Sequence, residues 1–215
     1  MKFKDRRVLY LVTLSVSFGF FTAGVTSGWM MPALKVLRFN QSETGIVIDQ
    51  DGLTTLPTLT PVGFTVGALT MQILADRFGR RTTILASAVP VALGSVIITF
   101  TRTAWLICTG SFIKNIGTGI LSSVIGIFYA EVADKDARAT LSYISSIMFK
   151  LGYLLVTSIG PFLSFQNLNY SVLILPFAYF AACWWIPETP YFYMKEGNED
   201  AARRSLKKLR ANADS

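Results

Sequence analysis

The feature that most restricts the fold of this chain is the length of its uncharged runs. No Asp, Glu, Lys or Arg occurs at 8–34, 52–75 or 82–101, while 103–130 carries only Lys114 and 139–187 only Lys150. A helix needs about 20 apolar residues to cross a hydrocarbon core, and over such lengths in lipid a helix satisfies its own backbone groups. The last run is about two spans long, and the polar "SFQNLNYS" (164–171) divides it. Six spanning helices are therefore predicted, at about 8–31, 54–75, 82–101, 104–130, 140–163 and 171–187. The predicted fold class is an all-α membrane bundle over residues 1–190, with a short cytoplasmic amphipathic helix in 191–215. Composition agrees: of 215 residues 52% are hydrophobic and 15% charged, too apolar for an ordinary soluble domain. The first run exceeds the apolar core of a cleavable signal peptide, so it reads as a retained helix.

Six spans return both ends of the chain to one side. Fifteen of the 20 Lys and Arg residues fall on that side, which the positive-inside rule places in the cytoplasm. The formal charge of +7 then reflects orientation and contact with the lipid bilayer, and no nucleic-acid partner is expected. Two Asn-x-Ser sequons, at Asn40 and Asn169, fall in loops that this topology puts outside, which makes both candidate glycosylation sites. Cys108 and Cys183 lie within spans, so no disulfide framework is implied. The absence of histidine removes imidazole metal sites, Ser-His nucleophile pairs and His proton relays together. Neither a metal, a cofactor nor an enzymatic activity is expected.

The densest charge follows the second run, in "ADRFGRR" (75–81). Asp76 ends one helix, Gly79 permits the reversal, and Arg77, Arg80 and Arg81 lie at headgroup level. On charge alone this is an orientation anchor. Its arrangement also resembles the loop motif between helices two and three of the major facilitator superfamily. "EVADKDAR" (131–138) after helix four and "PETPYFYMKEGNEDAARRSLKKLR" (187–210) after helix six narrow the likeness. In this order and at these loops they resemble the sugar porter family, most closely its insect-type facilitated sugar and trehalose transporters. The likeness covers nearly the whole chain but only the N-terminal half of the family's twelve-helix fold.

The resemblance implies a multi-pass protein of the plasma membrane that moves a hexose, trehalose or polyol by facilitated, alternating-access diffusion. It also implies a partner: a second six-helix half or a full-length transporter. Asp76, Arg77, Arg80, Arg81, Glu131, Arg138 and Glu188 match the family's cytoplasmic salt-bridge network, which stabilises the outward-facing state. The chain departs from the family where Ser111 stands for an arginine at the start of helix four, with Lys114 a turn later. It departs again at Tyr191, where many members have arginine, and at Ser146, which stands for a substrate-binding glutamine. These departures leave open a second reading, a non-transporting sensor or regulatory half protein.

Lys150 lies midway along the fifth helix, where an unpaired cation costs about 2.5–3.5 kcal/mol to insert. Tyr143, Ser146, Lys150, Tyr153 and Thr157 recur at three and four residues and form one polar stripe, which is expected to line a central cavity. Lys150 there either donates to substrate hydroxyls, attracts a small organic anion, or pairs with a carbonyl or tyrosine for structure alone. Lys114 shares a face with Gly110, Ser111, Gly117 and Thr118, which suits tight packing. Gly63-x-x-x-Gly67 reads as a helix-packing pattern. In 197–210, Asn198 is a candidate N-cap, with Ala202, Leu206 and Leu209 on one face.

Overall fold

A computed structural model describes residues 7–39, 45–46, 49–132, 135–186, 188–195 and 200, and the described residues are helical with short connections. Two helices share the first run: α1 (Arg7–Gly28) and α2 (Met30–Phe39), interrupted at Trp29. Then come α3 (Gln50–Phe78), α4 (Arg80–Phe100), α5 (Ala104–Val132) and α6 (Lys135–Ile159). A 3-10 turn (Gly160–Phe162) leads to α7 (Phe165–Cys183), and α8 (Pro190–Lys195) follows. The sequon asparagine Asn40 and, in the predicted C-terminal helix, Asn198, Ala202, Leu206 and Leu209 lie outside the described residues.

The helices overrun the uncharged runs because polar residues cap and extend them. Asp49 accepts from Gly52 N at 2.9 Å and so starts α3 ahead of the predicted span. Thr54 and Thr55 turn their hydroxyls back onto Asp51 O, which lets polar residues continue the helix. Ser164 caps α7 and accepts from Asn167 N, so most of "SFQNLNYS" is helix rather than loop. At the far end α7 stops at Cys183, and Trp184 and Trp185 form a turn. Among the described residues, α3, α4, α5 and the run Arg138–Phe162 are long and apolar enough to cross a membrane. In α7, Gln166, Asn167 and Asn169 occupy the first two turns and dilute its apolar character.

At the centre is α5, packed most extensively against α3 and α4, while α1 packs against α6 and α7. Small residues let these backbones meet. Gly63 and Gly67 lie against the carbonyls of Phe112 and Ile116 on α5, and Gly24 of α1 lies against Phe149 O on α6. A methyl group at any of them would strike a backbone, which is the close approach expected of small-residue helix pairs. The core falls into two layers. One, near the Gly79 turn, holds Val16, Ala75, Ile84, Phe128, Leu141 and Tyr179; the other surrounds Trp29 with Leu37, Leu56, Ile98, Ile107 and Val172. Buried hydroxyls in the first layer pair with one another. Tyr129 OH lies 2.6 Å from Ser145 Oγ, which is 2.9 Å from Ser17 Oγ, and Tyr179 OH donates to Ile84 O at 2.6 Å.

Candidate functional site

Three helix ends converge on the Gly79 turn. The reversal from α3 to α4 takes a single residue, Gly79, with φ 89°, a left-handed value that favours glycine. A side chain there would also collide with the Glu188 carboxylate, 2.5 Å from where a Cβ would stand. That closeness is functional for the turn. Glu188 Oε1 accepts from Arg80 N at 2.8 Å and from Arg81 N at 3.0 Å, and its own segment adds Thr189 N at 3.1 Å. The first amides of α4 lack intrahelical acceptors, and the positive end of the helix dipole favours the carboxylate that supplies one.

Arg80 carries the junction inward. Its side chain is buried, the residue being 5% exposed. Nε donates to Glu131 Oε1 at 2.9 Å and Nη2 lies 2.9 Å from the same oxygen, while Nη1 donates to Ala75 O at 3.0 Å. Asp76 Oδ1 stands farther off, 3.5 Å from Nη2 on the exposed side. Arg80 Cζ also lies 5.5 Å from the ring centroid of Tyr191. One guanidinium thus joins α3, α4, the end of α5 and α8.

The remaining members of the sequence-predicted set are placed differently. Arg81 Nη2 donates to Trp184 O at 2.7 Å and ties α4 to the turn after α7. Arg138 Nη2 donates to Ala130 O at 2.6 Å, closing the last turn of α5 rather than meeting the carboxylates. Arg77 is exposed on the last turn of α3. Glu131 Oε2 and Arg81 Nε are buried without a hydrogen-bond partner among the described residues. Sequence reasoning treated Tyr191 only as a missing arginine; the structure shows its ring facing Arg80. An aromatic residue three positions after the Pro-Glu acid was the available signal.

The stripe on α6 is largely open. Tyr143 is 71% exposed, and Ser146, Lys150 and Tyr153 are exposed while Thr157 is half-buried. Ser146 Oγ donates to Ser142 O at 2.9 Å, and Thr157 Oγ1 to Tyr153 O at 2.8 Å, so both hydroxyls rest on their own helix. Ser111, at the place of the family's arginine, is buried with its Oγ 3.2 Å from Thr60 Oγ1.

Asn169 is corrected. Its sequon suggested an exposed acceptor, but it sits on α7 at 3% exposure, its Oδ1 bound by Trp29 Nε1 at 2.8 Å. An amide enclosed in this way is not accessible to a glycan. Lys114 is also fully enclosed, at 1% exposure, with Nζ 3.8 Å from the Trp29 ring centroid. Its face was legible in the sequence; its aromatic partner was not.

Comparison with known proteins gives this geometry a family. The profile of the sugar (and other) transporter family matches residues 9–215. The facilitated trehalose transporter Tret1-1 of Drosophila sechellia is 30% identical over 200 residues, 93% of this chain and 23% of that protein. The Tret1-2 homologue of Drosophila simulans is likewise 30% identical, over 93% of this chain and 41% of its own length. The chain thus spans less than half the length of these curated relatives. Among solved structures, the proton:xylose symporter XylE, a major facilitator superfamily protein bound to 6-bromo-6-deoxy-D-glucose, superposes with a TM-score of 0.79. That match has 19% identity and covers 95% of this chain and 50% of XylE. The all-helical fold is therefore that of major facilitator transporters, which are not enzymes, and the chain belongs to their sugar transporter family, where it corresponds to the N-terminal half.

Proposed function

We propose that this chain forms the N-terminal six-helix bundle of a facilitative sugar transporter, with a hexose, trehalose or polyol as substrate. The observation that carries the reading is the Arg80 junction, in which the ends of α3, α5 and α7–α8 are tied to the start of α4 at a single turn. In this reading α1, α3, α4, α5, α6 and α7 each cross the bilayer, the Gly79 turn and both termini are cytoplasmic, and the membrane is the plasma membrane. Asn40 then faces outward as the remaining glycosylation candidate.

Alternating access needs a second bundle, in the same polypeptide or another, with the substrate between the two. Asp76, Arg77, Arg80, Arg81, Glu131, Arg138 and Glu188 act at the inner gate. A network of this kind biases two states that differ by only a few kcal/mol. The unmet valences of Glu131 Oε2 and Arg81 Nε are available for rearrangement when the gate opens. The face of α6 that carries the exposed Tyr143, Ser146, Lys150 and Tyr153 and the half-buried Thr157 contributes hydroxyls and one ammonium to the central cavity. No acid lies in the middle of a described helix to carry a proton, which favours uniport.

Uptake of labelled trehalose, glucose and polyols into proteoliposomes tests the reading, with the chain alone and with the C-terminal bundle of a trehalose transporter. Saturable flux is expected once a second bundle is present, and Lys150→Gln should reduce it. Correctly inserted protein that moves none of these solutes in either form would overturn the proposal.

A further inference from the structure

The Trp29 layer holds a set of groups that the inner gate and the α6 face do not use. Among the described residues Lys114 Nζ is buried with no hydrogen-bond partner, and what it does meet is the face of Trp29. Three more polar atoms share this condition: Thr26 Oγ1, Ser95 Oγ and Asn169 Nδ2 are each buried and without a hydrogen-bond partner among the described residues. They belong to the same neighbourhood. Thr26 lies one turn before Trp29 on α1; Asn169 is fixed to the indole through its other atom, Oδ1; and Ser95 follows Gly94, whose backbone abuts Lys114 N and Cβ. Helices α1, α4, α5 and α7 each bring one such group to the layer.

The four share one chemistry. An ammonium, a carboxamide NH2 and two hydroxyls all have a hydrogen to donate, and the first two have nothing to accept with at those atoms. Donors buried without acceptors are costly, and a buried ammonium without a counter-charge is more so. The indole face offsets part of that charge. The acids among the described residues, Asp49, Asp51, Asp76, Glu131, Asp136, Glu188 and Asp200, all stand in the first or last turn of a helix or beyond its end, none of them mid-helix with Lys114. A sugar would bring donors of its own, for which the ammonium and the carboxamide NH2 supply no acceptor and only the two hydroxyls could accept. The complementary guest carries negative charge, accepts several hydrogen bonds and is small enough for a closely packed interior.

We propose that the Trp29 layer binds one small monovalent anion of the halide class, held by the Lys114 ammonium, the Asn169 amide and the Thr26 and Ser95 hydroxyls, with the indole of Trp29 as a wall. The bound anion completes the charge balance inside the bundle and joins the α1–α2 break to α4, α5 and α7. The site is distinct from the Lys150 face, and its existence does not require that the chain carry a sugar.

The test uses the full chain in detergent with Trp105, Trp184 and Trp185, all exposed, replaced by Phe, so that Trp29 alone emits. Bromide is titrated against gluconate at constant ionic strength. Saturable quenching of Trp29 is expected, together with a rise of about 3 °C in Tm when chloride replaces gluconate. Both should vanish in Lys114→Met and persist in Lys150→Met. Should Lys114→Met fail to fold, the unsubstituted lysine protein decides alone. Emission that is unchanged or falls without saturation, with equal Tm in chloride and gluconate, overturns the proposal. Saturable quenching that survives in Lys114→Met overturns the assignment to this site.

Discussion

Arg80 and Lys114 are both buried cations, at 5% and 1% exposure, yet the bundle holds them in opposite ways. Arg80 lies at a helix end, where its guanidinium meets the carboxylate of Glu131, a backbone carbonyl and a second acid at the rim. Lys114 lies in the middle of α5, and its ammonium, without a hydrogen-bond partner among the described residues, meets the face of an indole. The difference follows from the donors. A planar fork can satisfy several acceptors at once, whereas a compact ammonium on a flexible stem settles against whatever electron-rich surface is near. It also separates settings: Arg80 is held by carboxylates from two other helix ends, and Lys114 lies against a ring at the α1–α2 break whose Nε1 is bound by Asn169.

The largest expected effect comes from removing half of the Arg80 pair. Glu131→Ala should cost about 3–5 kcal/mol, because it strands a buried guanidinium. Thermal unfolding in detergent would show it, and Arg80→Met with Glu131→Met should recover most of the loss. A single-variant cost near zero would mean that solvent screens the pair, and the contrast with Lys114 would disappear. Next comes Glu188→Ala, which leaves the amides of Arg80 and Arg81 without their acceptor at about 1–3 kcal/mol. Faster hydrogen exchange confined to the first turn of α4 is the accompanying sign, and Glu188→Gln should restore part of the protection.

Lys114→Met, measured without halide, should change stability by about 1 kcal/mol or less, or raise it, because it removes a buried charge that no carboxylate among the described residues balances. A loss as large as that of Glu131→Ala would show instead that the ammonium has a strong partner. The smallest effects belong to the rim. Asp76→Asn and Tyr191→Leu should each cost about 0–1 kcal/mol, the range for an exposed ion pair or cation–π contact. Coupling between Tyr191→Leu and Arg80→Met in a double-mutant cycle would isolate the ring contact.

Much of the fold was legible from charge alone, because lipid penalises charge heavily enough that long uncharged runs announce helices. The junction at the Gly79 turn was legible too, since Asp76, Arg80, Glu131 and Glu188 stand at run boundaries and match a family pattern. Helix ends were not. Asp49, Ser164 and the threonines of α3 continue helices through polar sequence by capping and back-bonding, which hydropathy does not register. Nor was the Trp29 layer legible. Trp29, Lys114 and Asn169 are far apart in sequence and belong to no shared motif, so only packing shows that one indole meets both an ammonium and an amide. Asn169 illustrates the hazard directly: three residues spell a glycan acceptor, and the fold spends the amide on a tryptophan.

Glu188 also makes the polypeptide's departure from the bundle a mechanical connection. Its carboxylate is gripped by the first two amides of α4, so the segment that runs on into α8 is fastened to the reversal at Gly79. Any pull, binding event or modification acting on the chain beyond α8 is therefore delivered as strain to the start of α4, where Arg80 holds the other helix ends. The connector is a lever whose fulcrum is a single hydrogen-bonded carboxylate.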